Sequence, residues 1–263
     1  MQATNYSQLG GFGHDGAVPA IGADVPIRAL WASRLQSTEH LRTRKYRTGS
    51  LIPAEPWLEV DCSGEPKNAF GPYGYVAVLR VPEPVMARFD GEELSHAAVR
   101  SAVIDWAKPL SDGGILHIHG FHHNAAGEVG VTKDESGQFL GLHIDSWEGP
   151  ALSDRADRPN RLCINFGPGT RSFIYVPVSV TRMRNDGDQA SVQDVIEHYC
   201  HSNADQLPVV AVEVPPGFAY VAPTELVVHD ASTEHSREYC TTFTVRGFFA
   251  LQRIFGPQPD IGQ

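Results

Sequence analysis

Two residues with metal-binding side chains, His143 and Asp145, stand two positions apart in the segment FLGLHIDSW at residues 139–147. In an extended strand alternate side chains point to the same face, so we expect the imidazole and the carboxylate to lie side by side. A second imidazole is available from His229, which follows the turn signal Val-Pro-Pro-Gly at residues 214–217. Two histidines and one carboxylate hold a divalent metal and leave coordination positions open. The sequence therefore predicts a metal centre built from these three residues.

Two arginines that follow the distal histidine could bind a carboxylate, because a guanidinium meets a carboxylate with two parallel hydrogen bonds and stays charged. Arg246 lies in a predicted strand and shares a face with Thr242 and Thr244. A charge on the polar face of an otherwise apolar strand needs a partner. Arg237 lies in a polar loop, where it could be solvated. The pattern favours Arg246 and keeps Arg237 as the alternative.

The ordered set of His-x-Asp, a distal histidine after a Pro-Gly turn and an arginine in the next strand resembles the iron(II)- and 2-oxoglutarate-dependent oxygenases. The resemblance covers roughly residues 113–252. It implies a double-stranded β-helix (jelly-roll) core in which the three predicted ligands hold iron(II). It also implies that Arg246 or Arg237 binds the far carboxylate of 2-oxoglutarate, with dioxygen as the other cosubstrate.

The activity that this resemblance implies is hydroxylation of a C–H bond in a small molecule, with decarboxylation of 2-oxoglutarate to succinate. Family members that halogenate lack the carboxylate ligand, so the presence of Asp145 favours hydroxylation or a related oxidation. The family's habits suggest an amino acid or a natural-product intermediate as the substrate. Four residues near the expected mouth of the site are candidates for substrate binding: His119, Trp147, Arg161 and Asn165.

Two other functions stay open. His117-x-His119 resembles the opening of a cupin motif, but the positions where a cupin needs a glutamate hold His123 and Asn124. A cupin-like metalloenzyme that does not use 2-oxoglutarate is the first alternative, and a non-catalytic jelly-roll binding module is the second. Hydrolase motifs such as a Gly-rich phosphate loop or Gly-x-Ser-x-Gly do not occur in the sequence.

The predicted fold is mainly β with flanking helices and a jelly-roll core, since short apolar strands alternate with Gly and Pro turns. Helices are predicted at residues 25–41, 90–108 and 191–200, and strands at residues 75–81, 115–123, 161–167, 171–180, 208–214, 220–229 and 241–251. We expect one domain overall. It comprises an N-terminal extension at 1–112 whose helices pack on the core, the catalytic core at 113–252 and a loose tail at 253–263.

The composition is that of an ordinary globular protein, with 41% hydrophobic and 20% charged residues among 263. A formal net charge of −10 argues against nucleic acid or an anionic membrane as a partner. Four scattered cysteines without Cys-x-x-Cys, and a polar N-terminus unlike a signal peptide, predict a reduced cytoplasmic protein. A small-molecule substrate is the expected partner, and the sequence does not indicate an oligomeric state.

Overall fold

The computed structural model describes residues 4–5, 20–21, 28–41, 46–61, 72–89, 96–183 and 191–256. The strands are β1 (Thr4–Asn5), β2 (Ala20–Ile21), β3 (Ala29–Ala32), β4 (Leu35–Ser37), β5 (Leu51–Pro53), β6 (Leu58–Asp61), β7 (Ala77–Arg80), β8 (Ser111–Asn124), β9 (Asn160–Pro168), β10 (Arg171–Ser179), β11 (Val209–Val214), β12 (Phe218–Ala222), β13 (Val227–Ser232) and β14 (Cys240–Phe249). The helices are α1 (Glu83–Met86), α2 (His96–Ala107), α3 (Val192–Ser202) and α4 (Leu251–Phe255).

Two six-stranded sheets form the body of the protein. One has the order β2-β7-β12-β9-β14-β8, and the other has the order β1-β6-β3-β11-β10-β13. At the free edge of the second sheet, His143 and His229 exchange backbone hydrogen bonds of 2.9 and 2.7 Å, so the segment around His143 lies beside β13. The core order is therefore β8-β14-β9-β12 in one sheet and His143 segment-β13-β10-β11 in the other. In chain order these eight segments have the arrangement of a jelly roll, which confirms the predicted fold class.

Alternating side chains in the core strands separate an outer layer from the space between the sheets. In β9, Leu162 and Ile164 pack outward against a cluster that includes Val99 and Val103 of α2, whereas Cys163 packs inward. Helix α3 covers the outer face of the other sheet through its buried Ile196. The interior at the β10–β12 end is filled by apolar side chains, and the space between β8, β14 and the His143 segment is lined by polar ones.

The N-terminal third contributes more strands than the sequence patterns showed, since only the strand predicted at residues 75–81, which is β7, was expected there. The helix predicted at residues 25–41 is wrong, since the described part of that range contains β3 and β4. Strand β3 pairs with β11, and β7 pairs with β12, so this region widens both sheets. An edge strand offers unpaired backbone N–H and C=O groups to a neighbouring segment. Hydrogen bonding to such an edge stabilises the strand conformation and overrides the local helical pattern. The boundary at 112/113 stays a prediction.

Three further predictions need correction. The strand predicted at 220–229 is two strands in different sheets, because Pro223 opens a turn in which Leu226 N donates to Pro223 O. Residues 139–147 are not a regular strand and join β13 only at His143. The tail predicted to be loose from residue 253 begins within α4, whose Ile254 is buried. Of the helix predicted at 90–108, residues 90–95 lie outside the described residues and α2 accounts for the rest.

Candidate metal centre

The three predicted ligands come together at the open edge of the second sheet. One ligand atom from each of His143, Asp145 and His229 lies within 4.8 Å of the others. The two imidazole rings are 4.8 Å apart between centroids, and His229 Nε2 lies 3.9 Å from Asp145 Oδ2. His229 belongs to β13, and His143 is the residue that bridges to it. Two residues later, the backbone N–H of Asp145 donates to Thr224 O at 3.1 Å. The arrangement could hold a single metal ion.

Hydrogen bonds orient both imidazoles toward this centre. His143 Nδ1 lies 2.8 Å from Gly141 O, and His229 Nδ1 lies 3.1 Å from Val227 O. A carbonyl accepts only from a protonated nitrogen, so each Nδ1 carries the proton and each Nε2 keeps a lone pair for a metal. His229 is 3% exposed, and its Nε2 is buried without a hydrogen-bond partner. An orphaned buried acceptor is costly, and a metal ion would satisfy it.

The protonation states also suit a metal. Burial lowers the pKa of His229 to about 3, so the imidazole is neutral at physiological pH. Burial by itself raises the pKa of Asp145, but the Arg161 guanidinium, His229 and His143 together lower it more, leaving it well below the usual range. A neutral imidazole and an ionised carboxylate are the forms that ligate metals.

Arg161, predicted as a substrate contact, lies on the metal-site carboxylate. It extends inward from β9, and its Nη2 lies 2.5 Å from Asp145 Oδ2. Its side chain is 20% exposed, so part of the guanidinium also borders the polar space between the sheets, which we call the cavity. Arg161 therefore fixes the carboxylate and remains accessible to a bound molecule.

Two buried charged residues that sequence reasoning missed hold the segment that carries Asp145. Arg155 and Glu225 are each 1% exposed. Arg155 Nη1 donates to Asp145 O at 3.0 Å and to Glu225 O at 2.9 Å, and its Nη2 donates to Ser146 Oγ at 3.0 Å. Glu225 Oε1 accepts from Trp147 N at 2.9 Å. A glutamate within the apolar stretch at residues 218–231 was the available signal for this network.

Of the two arginines predicted to bind a cosubstrate, only Arg246 lies at the cavity. Its Nη2 is 2.8 Å from Glu225 Oε2, and its guanidinium lies 5.8 Å from the ring centroid of Trp147. Its charge is therefore already balanced by a buried carboxylate. Arg237 is exposed in the turn between β13 and β14.

A third arginine, Arg171, was missed by the sequence analysis. It starts β10 and reaches the opposite sheet, where Nη1 donates to Asn124 Oδ1 at 3.0 Å and to Thr242 Oγ1 at 3.3 Å. Its Nε is buried and unpartnered, and within the described ranges no carboxylate is at ion-pair distance from it. Burial lowers its pKa, but Tyr220, the neighbouring thiols and the more distant Asp230 carboxylate together raise it more, so the group stays cationic. Arg171 is thus a buried cation between the sheets that has no ion-pair partner among the described residues.

The remaining predicted substrate contacts separate into two groups. His119 and Trp147 face each other at 4.7 Å between ring centroids, with His117 at 4.5 Å from His119. Burial lowers the pKa of His119 to about 4. Asn165 instead serves the β9–β10 turn: its Nδ2 donates to Gly169 O and Val214 O, and its Oδ1 accepts from Gly167 N. The expectation that Asn165 contacts substrate is therefore replaced by a structural role.

Fold and site together define a jelly-roll protein in which two histidines and one carboxylate converge and could hold a metal ion. No family model matches the sequence, and no curated protein matches it. Among the described residues, none of the helices is long and apolar enough to cross a membrane.

The chain is similar in structure to crystal structures of the Kdo hydroxylase KdoO, a non-heme Fe(II) alphaketoglutarate dependent dioxygenase. The complex with succinate and Fe(III) gives a TM-score of 0.40 at 13% identity, covering 70% of this chain and 83% of that chain. The cobalt(II) complex gives 0.39 at 13%, covering 70% and 84%. The complex with alphaketoglutarate and Fe(III) gives 0.36 at 14%, covering 70% and 83%. Because these TM-scores are low, the function proposed below rests on the chemistry of the site itself.

Proposed function

We propose that this protein is an iron(II)- and 2-oxoglutarate-dependent oxygenase that hydroxylates a C–H bond of a small molecule. The observation that carries the proposal is the convergence of three ligand atoms within 4.8 Å, one of them the buried and unpartnered Nε2 of His229. Two histidines and one carboxylate with open positions are the ligand set of non-haem iron(II) oxygenases. The overall reaction is R–H + O₂ + 2-oxoglutarate → R–OH + succinate + CO₂, and the bound iron supplies its redox chemistry.

The chain's own contribution is to hold and orient. His143 and His229 offer Nε2 because their Nδ1 protons are tied to backbone carbonyls. Arg161 keeps Asp145 ionised and fixed in position. Phe173, whose ring lies 5.7 Å from that of His229, closes the apolar end of the interior and excludes water behind the metal centre.

We assign the far carboxylate of 2-oxoglutarate to Arg171, with Thr242 beside it. A buried guanidinium without a carboxylate destabilises a protein unless a ligand supplies the missing anion. Arg246 remains the alternative, because it lies in the cavity with an unpartnered Nε, but Glu225 already balances its charge. Arg237, exposed in a turn, is the weakest candidate.

Asp145 is the residue that favours hydroxylation over halogenation, because its carboxylate takes the position that a halide would need. The substrate class suggested by the family's habits, an amino acid or a natural-product intermediate, stays part of this proposal. Small-molecule substrates suit a site that lies between two sheets.

The test is anaerobic titration of iron(II) into the purified protein, followed by measurement of succinate on admission of oxygen. We expect His143→Ala, Asp145→Ala and His229→Ala each to weaken iron binding at least 100-fold. Their circular dichroism spectra should match that of the wild type, because the fold is retained. His198→Ala, on the exposed face of α3, is the matched control and should bind iron like the wild type. Normal iron binding in the three variants would overturn the ligand assignment. Oxygen consumption without succinate would favour a cupin-like metalloenzyme instead.

A further inference from the structure

One wall of the cavity beside Asp145 carries unused hydrogen-bonding groups. Trp147 Nε1 and His119 Nε2 are both buried and have no partner among the residues that the structure describes. The two rings pack at 4.7 Å between centroids, and Trp147 is two residues from Asp145. An indole N–H can only donate, so its natural partner is an acceptor oxygen. Native proteins rarely leave two adjacent buried polar atoms unsatisfied unless a ligand or water completes them.

The charges that surround this wall are predominantly positive. Four arginines, at positions 155, 158, 161 and 246, face three carboxylates, at positions 145, 148 and 225. Arg155 accounts for the one positive charge in excess, because in the described ranges it hydrogen-bonds only carbonyl and hydroxyl oxygens. The chain as a whole carries −10, so this positive region is local. Such a field concentrates anions at the entrance.

The carboxylates nearby are not available to bind a cationic ligand. Asp145 is paired with Arg161 at 2.5 Å, and Glu225 with Arg246 at 2.8 Å. His119 is neutral at physiological pH, since burial lowers its pKa. The groups that face a ligand are therefore the indole N–H and the accessible guanidinium of Arg161, which are donors, and His119 Nε2, which donates in the tautomer that carries the proton there.

We propose that the primary substrate is a small organic anion, whose carboxylate, sulfate or phosphate oxygens lie against Trp147 and His119 within reach of Arg161. This rests on the proposed function for the chemistry that follows binding. The net charge of the site is the same with and without the cofactors, because the two positive charges of iron(II) cancel the two negative charges of 2-oxoglutarate. The exposed ring of His117, 4.5 Å from His119, lies at the rim of this subsite.

The experiment is a binding screen with matched probes, read by isothermal titration. Each small carboxylic acid is paired with its primary amide, and phenyl sulfate and phenyl phosphate are paired with phenol. Titrations use both metal-free protein and anaerobic protein loaded with iron(II) and 2-oxoglutarate. We expect at least one anion to bind tenfold or more tightly than its neutral partner, and the carboxylate, sulfate and phosphate arms to identify the preferred group.

Trp147→Phe keeps an aromatic ring and removes only the indole N–H, and it should weaken the preferred anion about tenfold while leaving iron and 2-oxoglutarate affinities unchanged. His119→Phe is a second, independent variant with the same expected effect. Trp106→Phe, on α2 outside the sheets, is the control that should change nothing. Two results would overturn the proposal. One is equal affinity for the charged and the neutral member of each pair. The other is anion affinity that stays at the wild-type value in both variants, which would mean that Arg171 alone holds the anion. If the protein fails to bind iron but binds anions through Trp147, the proposed function falls and this subsite stands.

Discussion

Arg171 and Arg246 are both buried arginines between the two sheets, but different groups balance their charges. Arg246 has the Glu225 carboxylate at 2.8 Å, whereas among the described residues Arg171 hydrogen-bonds only the neutral oxygens of Asn124 and Thr242, and the Asp230 carboxylate acts on it from beyond ion-pair distance. Sequence reasoning favoured Arg246 because it shares a strand face with two threonines. It missed Arg171 because no local pattern shows which buried cation lacks a partner across the sandwich.

This difference gives opposite expectations for the two arginines. Arg171→Met should weaken 2-oxoglutarate binding about 100-fold or more, since the lost ion pair is desolvated. Its effect on the free energy of unfolding should stay within about 1 kcal/mol, because an unbalanced buried charge is removed. Arg246→Met should destabilise the protein by about 2–3 kcal/mol, because the buried Glu225 carboxylate loses its 2.8 Å ion pair and keeps Arg158, at 3.4 Å, as its remaining ion-pair partner. Urea unfolding and anaerobic 2-oxoglutarate titration measure the two effects.

Arg237→Met is the matched control, and both quantities should match the wild type because the residue is exposed in a turn. Loss of 2-oxoglutarate binding in Arg246→Met but not in Arg171→Met would return the cosubstrate site to Arg246.

The pKa of His119 predicts a pH-dependent stability. Burial, and secondarily Arg161, lower that pKa to about 4, whereas an unfolded histidine titrates near ~6.5. Between these values only the unfolded chain binds the proton, so stability is lost as the pH falls from about 6.5 toward 4. For the half-buried ring, solvent screening reduces the effect between pH 7.5 and 5.0 to about 1 kcal/mol.

Urea unfolding of the metal-free protein at these two pH values tests the prediction. In His119→Asn the loss of stability on acidification should be smaller by about 1 kcal/mol, and in His198→Asn, exposed on α3, it should equal that of the wild type. An unchanged acid dependence in His119→Asn would mean that the ring titrates normally in the folded protein.

At the scale of elements, the core strands were predictable and the segment that carries Asp145 was not. Strands β9, β10 and β11 were predicted because their apolar residues are bounded by Gly and Pro turns. The segment at residues 139–147 has a similar composition, but it joins β13 only at His143. The part after His143 is held by two buried charged residues, Arg155, which lies ten residues from Asp145, and Glu225, which lies 78 residues from Trp147. Local periodicity cannot report such contacts.

Arg155 should therefore act on the metal centre through the backbone. Arg155→Met removes donors from the carbonyls of Asp145 and Glu225, and we expect about 2–4 kcal/mol of lost stability from buried acceptors left unpaired. Iron affinity should fall about 10–100-fold, because the segment that positions a ligand is loosened. Anaerobic iron titration and urea unfolding are the measurements.

The matched control is Arg47→Met, because Arg47 forms an exposed ion pair with Glu197. It should change stability by less than about 1 kcal/mol and leave iron affinity unchanged. Wild-type iron affinity in Arg155→Met would show that the β13 bridge alone positions the segment.

For the whole molecule, the jelly-roll arrangement places the apolar layer that stabilises the fold and the residues of the candidate metal centre on opposite faces of a sheet. The outer face of the β8-β14-β9-β12 sheet is covered by α2 and an apolar cluster, while the metal centre lies on the inner side. The sequence predicted this helix as an outer support, and the described part of α2 agrees. It predicted β7 as a strand but missed β3, and it did not predict that the two widen both sheets, since their partners β12 and β11 lie more than a hundred residues away.

This separation predicts that weakening the outer layer leaves the site intact. Val103 is fully buried in α2, and Val103→Ala removes two methyl groups, for an expected loss of about 2 kcal/mol in the free energy of unfolding. Iron affinity should be unchanged, because the sheet stands between the helix and the ligands. Arg100→Ala, exposed on the same helix, should change neither quantity beyond about 0.5 kcal/mol. If iron affinity falls in step with stability in Val103→Ala, the helix and the metal centre are coupled through the sheet, and the two layers do not act independently.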